Sequence, residues 1–338
     1  MKEKFVAGVI GAGKIGKLHI NNLKKNEDVR IKMVSDLFAD ELNEWFLQSG
    51  VENITKDYKD ILEDDEINAV FICSPTSTHA DLIKQAAEKG KHIFCEKPIS
   101  FSEEETLEAY RVVKEAGVHF QVGFNRRFDK NFAEMQKRRE DGKIGDVHLL
   151  KITSRDPNPP PLEYIASSGG LFFDMTIHDF DMARFLVGEE VEEVYAQGAN
   201  LVDPKIQEAS DIDTAIITLT FKNGAIGVID NSREAVYGYD QRTEIFGNKG
   251  ALMAENEKPT NLTFYHKGSV EMEKPLHFFL ERYQEAYINE TNEFIQSVLE
   301  NRNTSVGFKD GIMAQRIAYA ANESFKKQKP VKVDNQIG

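Results

Sequence analysis

Short apolar runs alternate with helical patterns over the first 123 residues of this 338-residue chain. The runs are FVAGVI, IKMVSD, NAVFICS, KHIFCE and HFQVGF, and they alternate poorly between polar and apolar residues, as strands buried on both faces do. Helical patterns separate them at 15–25, 39–49, 78–89 and 102–116. Repeated βα units of this length predict an α/β domain with a doubly wound parallel sheet over residues 1–123.

The periodicity of apolar residues changes after Gly123, and residues 124–338 show the pattern of antiparallel strands. DTAIITLTF alternates apolar and polar positions, and the turn KNG joins it to AIGVIDNS, which is a hairpin signal. RTEIFGNKGALMAE and NLTFYHKGSVEME repeat the pattern, and long helical patterns follow at 277–300 and 308–328. We therefore expect a C-terminal α+β domain on a large, open-faced, mostly antiparallel sheet.

One face of that predicted sheet is not expected to pack against the helices of its own domain. Only one face can meet the domain's own helices, and the other carries Thr and Ile side chains, with Ile216, Ile226 and Val228 among them. A wide apolar surface is unfavourable in water. The pattern therefore predicts a closed homotetramer or homodimer that buries sheet against sheet.

Charge and cysteine content narrow the function classes. The formal net charge of −14 disfavours nucleic acid and anionic membranes as partners. The start MKEKFVAGVI is not a signal peptide, and no apolar run approaches the ~20 residues of a membrane span. Cys73 and Cys95 form no CxxC pair, so we expect reduced thiols in a cytoplasmic protein, without a metal site.

A glycine motif follows the first apolar run directly. In GVIGAGKIGKLH, three glycines fit GxGxxG, with Lys14 and Ile15 inside the motif: Gly11, Gly13 and Gly16. Such a turn lets the backbone approach a pyrophosphate at a helix N-terminus. The motif predicts a dinucleotide-binding Rossmann domain, although a simple βα turn gives the same pattern.

Asp36 strengthens the nucleotide interpretation. It ends the second strand 20 residues beyond Gly16, where an acid accepts hydrogen bonds from the adenosine ribose hydroxyls. A carboxylate there repels a 2′-phosphate, which favours NAD over NADP. The alternative is that Asp36 caps the helix that follows.

The stretch SGGLFFDMTIHDFDMARFL places four ionisable groups in an otherwise apolar helix: Asp174, His178, Asp179 and Asp181. Buried charges are costly unless they are paired or functional. Asp174 and His178 are four residues apart and so share one helix face. We interpret Asp179 and Asp181 as structural, with Arg184 as their partner, and regard Asp174 and His178 as candidates for a functional role. A histidine satisfied by packing is the alternative for His178.

The segment FCEKP completes a set of three motifs in order. The glycine motif, EKP and the Asp-x-x-x-His helix together resemble the Gfo/Idh/MocA oxidoreductase family over essentially the whole chain. Within that family, SRDPNPPPLEYIASSGGLFFDMTIHDFDMARFL is most similar to the inositol 2-dehydrogenases. The resemblance implies NAD-dependent oxidation of a cyclic polyol at a secondary alcohol, with myo-inositol giving 2-keto-inositol.

The resemblance also assigns roles. Lys97, Asp174 and His178 would be catalytic: a neutral imidazole takes the alcohol proton, and the Lys97 ammonium hydrogen-bonds the developing alkoxide. Asp174 would orient His178 or hold Lys97. Glu96 would touch the nicotinamide-side ribose, and four residues would line the cofactor groove: Ser74, Pro75, Thr76 and His79. Polyol contacts would come from Lys97, Asp174 and His178 themselves, and from Arg127, Asp156, Asn158 and Tyr239.

Three alternatives stay open. RDPNPPP departs from the more basic or His-containing loop of some inositol enzymes, so another polyol or sugar, such as scyllo-inositol or an aldose, is a possible substrate. An NAD-dependent glycosidase of this superfamily would end redox-neutral and accumulate no NADH. A non-enzymatic NAD-binding regulator, like the galactose repressor of this fold, is disfavoured because Lys97 and His178 are present.

Overall fold

The computed structural model describes residues 5–336, and the chain divides into two compact units. The first unit contains the residues up to Asn125 together with Tyr287–Ile312, and the second contains Arg126–Ala286 with the residues from Met313 onward. From the sequence we expected two contiguous domains, 1–123 and 124–338. The structure differs, because residues 287–312 belong to the first unit.

The first unit is built on six strands: β1 Phe5–Ile10, β2 Val29–Ser35, β3 Asn53–Thr55, β4 Ala69–Ile72, β5 His92–Cys95 and β6 Phe120–Val122. All neighbours pair in parallel, in the order β3-β2-β1-β4-β5-β6. Its helices are α1 Lys14–Leu23, α2 Asn43–Ser49, α3 Lys59–Glu63, α4 His79–Glu88 and α5 Glu103–Ala116. The predicted doubly wound sheet is confirmed, and ligands bind such sheets at the carboxyl ends of the strands on either side of the switch between β1 and β4.

A buried aromatic cluster explains why a late segment belongs to this unit. Phe294 is fully buried in the same core as Phe5, Phe71 and Phe94. Its ring lies edge-on to Phe5 at 5.9 Å and to Phe71 at 5.5 Å between ring centroids. Burial of one aromatic side chain contributes about 1.5–3 kcal/mol, which is enough to fix the helix that carries it on this sheet.

The second unit contains the strands β7 Val147–Arg155, β8 Val191–Ala199, β9 Thr214–Phe221, β10 Ile226–Ser232, β11 Asp240–Gly247, β12 Gly250–Ala254, β13 Thr263–Tyr265, β14 Val270–Met272 and β15 Val331–Lys332. The main sheet has the order β12-β11-β7-β10-β9-β8-β15, and β13 and β14 form a separate hairpin. β10 and β7 pair in parallel, whereas the other five neighbouring pairs are antiparallel. The predicted mostly antiparallel sheet is confirmed.

The remaining helices are α6 Lys130–Glu140, α7 Leu162–Ser167, α8 Leu171–Asp174, α9 Thr176–Val187, α10 Phe279–Arg282, α11 Gln284–Leu299 and α12 Phe308–Lys327. The predicted hairpin of β9 and β10 forms with Ile226 opposite Thr220. Ala215, Ile217, Leu219 and Phe221 are at most 1% exposed, whereas Ile216 and Ile226 are 46% and 52% exposed. The sheet therefore has one packed face and one open face within the chain, as the alternation predicts.

Candidate active site

The glycine-rich turn joins β1 to α1 and leaves space on its outer side. Gly11 has φ +95°, and a Cβ there would lie 2.8 Å from the Cys73 backbone. A Cβ on Gly16 would collide with the carbonyl oxygen of Gly11. At Gly13, which precedes α1, nothing among residues 5–336 lies within 4 Å of the position that a Cβ would take. The crowded glycines allow the tight turn, and the open one fits a pyrophosphate at the helix N-terminus.

Asp36 is tied directly to that turn. Its Oδ2 accepts a hydrogen bond from the Ala12 amide at 2.7 Å, and its Oδ1 accepts one from the Phe38 amide at 2.9 Å. The carboxylate therefore caps the following backbone and also stands beside the glycine turn at the end of β2. The capping contact does not exclude a ribose contact, because a carboxylate has about four acceptor positions, so ribose binding by Asp36 stays a prediction.

The loop after β4 carries the next predicted cofactor residues. The Ser74 and Thr78 hydroxyls lie 2.6 Å apart, Thr76 is half-buried and Pro75 is exposed. His79 differs from the expectation, because its side chain is buried and both ring nitrogens lie 2.8 Å from carbonyl oxygens, those of Pro98 and Ser74. Burial also lowers the pKa of the His79 imidazole. His79 therefore supports the loop from beneath and does not line the groove.

Glu96 and Lys97 follow β5 at the same sheet edge. Glu96 Oε1 lies 2.9 Å from Nε2 of His19, a fully buried residue of α1 whose ring lies 4.7 Å from that of Phe94. Lys97 is half-buried, and its amide donates to Glu96 Oε2 at 3.3 Å. The contact with His19 holds Glu96 in place, so the strand end presents Lys97 from a fixed position. The role of His19 as a partner of Glu96 could not be predicted from the sequence, because the two residues are 77 positions apart.

The charged helix is interrupted at Met175. Asp174 ends α8, and His178 lies in the first turn of α9, so the two residues occupy consecutive helices, not the single helix expected. Met175 between them keeps a right-handed helical backbone, with φ −99° and ψ −58°. Asp174 Oδ1 accepts a hydrogen bond from the Tyr164 hydroxyl at 2.9 Å, and its Oδ2 accepts one from Arg233 at 3.3 Å. Both Asp174 and His178 are half-buried.

The carboxyl group of Asp156 interacts electrostatically with the carboxylate of Asp174. Burial, followed by the Asp174 carboxylate, raises the pKa of Asp156 from its ordinary 3.8 to about 7, against the opposing effects of Arg233 and Arg126. Burial also raises the pKa of Tyr239, and Asp156 adds to that rise. The structure therefore brings together three of the predicted substrate residues, Asp156, Asp174 and Tyr239. Asn158, two residues beyond Asp156, is exposed.

The other two aspartates of the helix are paired with consecutive arginines. Arg127 binds Asp181 through two hydrogen bonds of 2.8 and 2.6 Å, and Arg126 contacts Asp179 at 2.5 Å. Asp179 and Asp181 are at most 1% exposed. The predicted structural role of both fits this geometry, although Arg184, at 3.9 Å from Asp181, bonds mainly to Glu190. Two bonds to a buried carboxylate also tie Arg127 to the core, which disfavours the predicted polyol contact.

Tyr164 and Arg233 are site residues that the sequence analysis did not identify. Tyr164 lies in α7, ten residues before Asp174, and Arg233 follows β10, 59 residues after it. Tyr164 lies within the segment 154–186 that carries the family resemblance, and Arg233 lies outside it. For both, the contact with Asp174 depends on tertiary packing, which the sequence pattern does not predict. Within residues 5–336, no group of three or more His, Cys, Asp or Glu side chains has the arrangement of a metal site. Over the same residues, no helix combines the length and apolar character that a membrane span requires.

Two family models match most of the chain. The model of an oxidoreductase family with an NAD-binding Rossmann fold matches residues 5–124. The model of the GFO/IDH/MocA C-terminal domain matches residues 132–253.

Individual relatives match over nearly their full length. The chain is 47% identical over 331 residues to myo-inositol 2-dehydrogenase of Thermotoga maritima, covering 98% of this chain and 99% of the relative. It is 36% identical over 336 residues to scyllo-inositol 2-dehydrogenase (NAD(+)) of Bacillus subtilis, covering 99% and 98%. A crystal structure of scyllo-inositol dehydrogenase from Lactobacillus casei with bound NAD(H) and scyllo-inositol superposes with a TM-score of 0.90 at 31% identity, covering 97% and 99%.

Proposed function

Since the chain belongs to the Gfo/Idh/MocA oxidoreductase family, we propose that it oxidises a secondary alcohol of a cyclic polyol, converting myo-inositol to 2-keto-inositol. The chain is an NAD-dependent oxidoreductase that acts on CH–OH groups. The choice of myo-inositol is supported by the relative of Thermotoga maritima and by a second inositol 2-dehydrogenase, from Rhizobium meliloti, at 44% identity.

One observation carries the proposal of a polyol. The carboxylates of Asp156 and Asp174 interact with each other, and Tyr164 hydrogen-bonds to Asp174. Carboxylate oxygens accept hydrogen bonds from hydroxyl groups, and a polyol offers several hydroxyls on one ring. A cluster of this kind suits a neutral, hydroxyl-rich substrate better than an anionic one.

The residues of the first unit fit the cofactor. We propose that the turn of Gly11, Gly13 and Gly16, with Lys14 and Ile15, holds the pyrophosphate of NAD, and that Asp36 binds the adenosine ribose. Ser74, Pro75 and Thr76 line the groove, and Glu96 binds the second ribose. The open position at Gly13 is the observation that supports this assignment.

In the proposed reaction, His178, Lys97 and Asp174 have different roles. NAD, when bound, supplies the acceptor for the hydride that leaves the alcohol carbon. His178, as a neutral imidazole, takes the hydroxyl proton on a ring nitrogen. Lys97 donates a hydrogen bond to the same oxygen as negative charge develops there. Asp174, with Tyr164 on its Oδ1, provides the fixed charge that orients His178 or holds Lys97.

Substrate contacts beyond these three follow from the same cluster. Asp156 and Tyr239 interact electrostatically with the residues around Asp174, and Asn158 is exposed close by in the chain. We assign all three to the polyol hydroxyls. Arg127 acts through Asp181 as a support for α9, because both of its bonds to that carboxylate are short.

scyllo-Inositol is the second candidate substrate, favoured by the 36% identity to the Bacillus subtilis enzyme. Absorbance at 340 nm with NAD, measured over a panel of inositols and aldoses, decides among them. We expect net NADH formation with the highest kcat/KM for myo-inositol. Activity confined to aldoses, or turnover of a glycoside without net NADH, would contradict the proposal.

We further propose a homotetramer, or a homodimer, formed through the open face of the second unit's sheet. Four apolar side chains on that sheet support it, each at least 41% exposed: Leu149, Ile216, Ile226 and Phe246. We also propose a cytoplasmic location, the compartment suited to the two free cysteines Cys73 and Cys95.

A further inference from the structure

Arg233 is a fully buried arginine to which the proposed reaction assigns no role as acid, base or substrate contact. It follows β10, and its guanidinium donates from Nη1 to Asp174 and from Nη2 to Oδ2 of Asp211, each over 3.3 Å. One buried cation therefore joins the proposed catalytic carboxylate to a second carboxylate.

Stability alone does not explain an arginine at this position. Among residues 5–336, the buried Nε of Arg233 has no hydrogen-bond partner. A buried charged group with an unpaired donor is unfavourable, and well-packed apolar residues often replace buried ion pairs at no loss of stability. The arginine therefore carries a cost that packing does not require.

Asp211 anchors this guanidinium to the start of α8. Its Oδ1 accepts a hydrogen bond from the amide of Leu171, the first residue of α8, at 2.9 Å. The preceding residue, Gly170, has φ +83°, and a Cβ there would lie 2.8 Å from the same oxygen. The chain of contacts Asp211–Arg233–Asp174 thus links the two ends of α8 and restricts the orientation of the Asp174 carboxylate.

The same guanidinium affects the charge of the neighbouring carboxylates. Asp156 lies beside the segment that carries Arg233, since its amide donates to Ser232 and its carbonyl accepts from Ala235. Three carboxylates form ion pairs with two guanidiniums here: Asp174 and Asp211 with Arg233, and Asp179 with Arg126. The other titratable neighbours are Asp156, Tyr164 and Tyr239. Asp179 is paired with Arg126 at 2.5 Å, and the positive charges of Arg233 and Arg126 both lower the pKa of Asp156 against the effects of burial and of the Asp174 carboxylate.

We infer that Arg233 is a positioning residue of the proposed reaction: it holds the Asp174 carboxylate in its working orientation and places a positive charge beside Asp156. The inference rests on the proposed function for the first role only. The second role concerns the charge of the cluster and holds whether or not a polyol is the substrate.

Three variants test both roles. Arg233→Lys keeps the charge but loses the two-pronged contact, and Asp211→Asn removes the carboxylate that competes for the guanidinium. Arg282→Lys is the matched control, because Arg282 is also buried in the second unit and pairs with Asp129 at 2.6 Å. The readouts are kcat per folded protein for myo-inositol with NAD, and the carboxyl titration of Asp156. The latter is followed by NMR with ¹³C-labelled aspartate and assigned by its loss in Asp156→Asn.

Two readouts, kcat and the Asp156 titration, distinguish positioning from general destabilisation. In Arg233→Lys, we expect kcat to fall roughly 10- to 100-fold, since misplacement of a catalytic group is costly. In Asp211→Asn, we expect the Asp156 titration to move down by about one pH unit, because one negative charge is removed and Arg233 then has one fewer carboxylate to compensate. Arg282→Lys lowers thermal stability and changes neither readout.

Either of two results overturns the inference: turnover in folded Arg233→Lys within twofold of the unaltered protein, or an unshifted Asp156 titration in folded Asp211→Asn. The titration requires no turnover. If the unaltered protein oxidises no polyol, the proposed function fails, and the Asp211→Asn titration still tests the effect of Arg233 on Asp156.

Discussion

The carboxylate of Asp36 accepts a hydrogen bond from the backbone amide of Ala12 at 2.7 Å, which joins the end of the second strand to the middle of the glycine motif. The residue proposed to select the cofactor is therefore also tied to the turn proposed to hold it. Substitutions at Asp36 affect both functions, and two different substitutions separate them.

We expect NAD to bind more tightly than NADP, because a 2′-phosphate would face the Asp36 carboxylate. Asp36→Asn keeps an acceptor for the Ala12 amide and removes the negative charge. We therefore expect a smaller difference between the affinities for NAD and NADP, and only a modest fall in the affinity for NAD. Asp36→Ala also removes the acceptor, and NAD affinity falls roughly 10- to 100-fold. Titration calorimetry with both cofactors measures this. A preference of the unaltered protein for NADP would refute the assignment.

Two glycines of one motif should respond differently to alanine. At Gly13, φ is −67° and the added methyl meets open space, so Gly13→Ala keeps its melting temperature and binds NAD more weakly. At Gly16, the methyl collides with the Gly11 backbone, so Gly16→Ala lowers the melting temperature and the yield of folded protein. Thermal melts with and without NAD compare the two. Unchanged NAD affinity in Gly13→Ala would argue against pyrophosphate binding at this turn.

The raised pKa of Asp156, about 7, predicts a pH-dependent stability. The folded-state pKa lies above the ordinary 3.8, so the contribution of this group to stability is complete at low pH and is lost as the pH rises through 7. Asp156→Asn lacks this loss, so its melting temperature should exceed that of the unaltered protein by several degrees at pH 8, by less at pH 5, and not at all below pH 3.8. Glu208→Gln, at an exposed position of the same unit, is the control. A constant difference across pH would show that Asp156 is not the titrating group.

Assembly is tested on the open face of the sheet. Ile216→Glu combined with Ile226→Glu places two charges where sheet-to-sheet burial requires apolar contact, so we expect monomers at micromolar concentration in light scattering. Leu201→Glu is the matched control, because Leu201 is 75% exposed and lies outside the sheet. A monomeric unaltered protein would contradict the proposed assembly at once.

Local patterns predict much of this fold because the information lies in neighbouring residues. Strands buried on both faces give continuous apolar runs, and half-buried strands such as β9 give strict alternation. The pattern does not predict that Phe294 packs with Phe5 and Phe71, since that contact joins residues almost 290 positions apart.

In the candidate site, too, residues in local motifs could be predicted and long-range contacts could not. Asp36, Lys97, Asp174 and His178 belong to short motifs and could be selected from the sequence. The partners of Asp174, namely Tyr164 and Arg233, depend on tertiary packing and could not. Arg127 was expected at the substrate because of its motif, but a carboxylate 54 residues away binds its guanidinium.

His178 provides the most direct test of the whole account. If it is the general base, kcat/KM for polyol oxidation rises with pH as the imidazole loses its proton, and His178→Ala lowers kcat by roughly 10²–10⁴. NAD affinity stays nearly unchanged, because the proposed cofactor residues belong to the other unit. Lys97→Ala is also severe, and the double variant loses less than the product of the two, since both groups act on one oxygen.

The deciding measurement is kcat per folded active site of His178→Ala with NAD and myo-inositol, alongside a thermal melt. We predict a folded protein that binds NAD and turns over at least roughly 100-fold more slowly than the unaltered enzyme. Near-normal turnover by the folded fraction, with a lowered melting temperature, would instead show that His178 only packs the helix and would contradict the catalytic role.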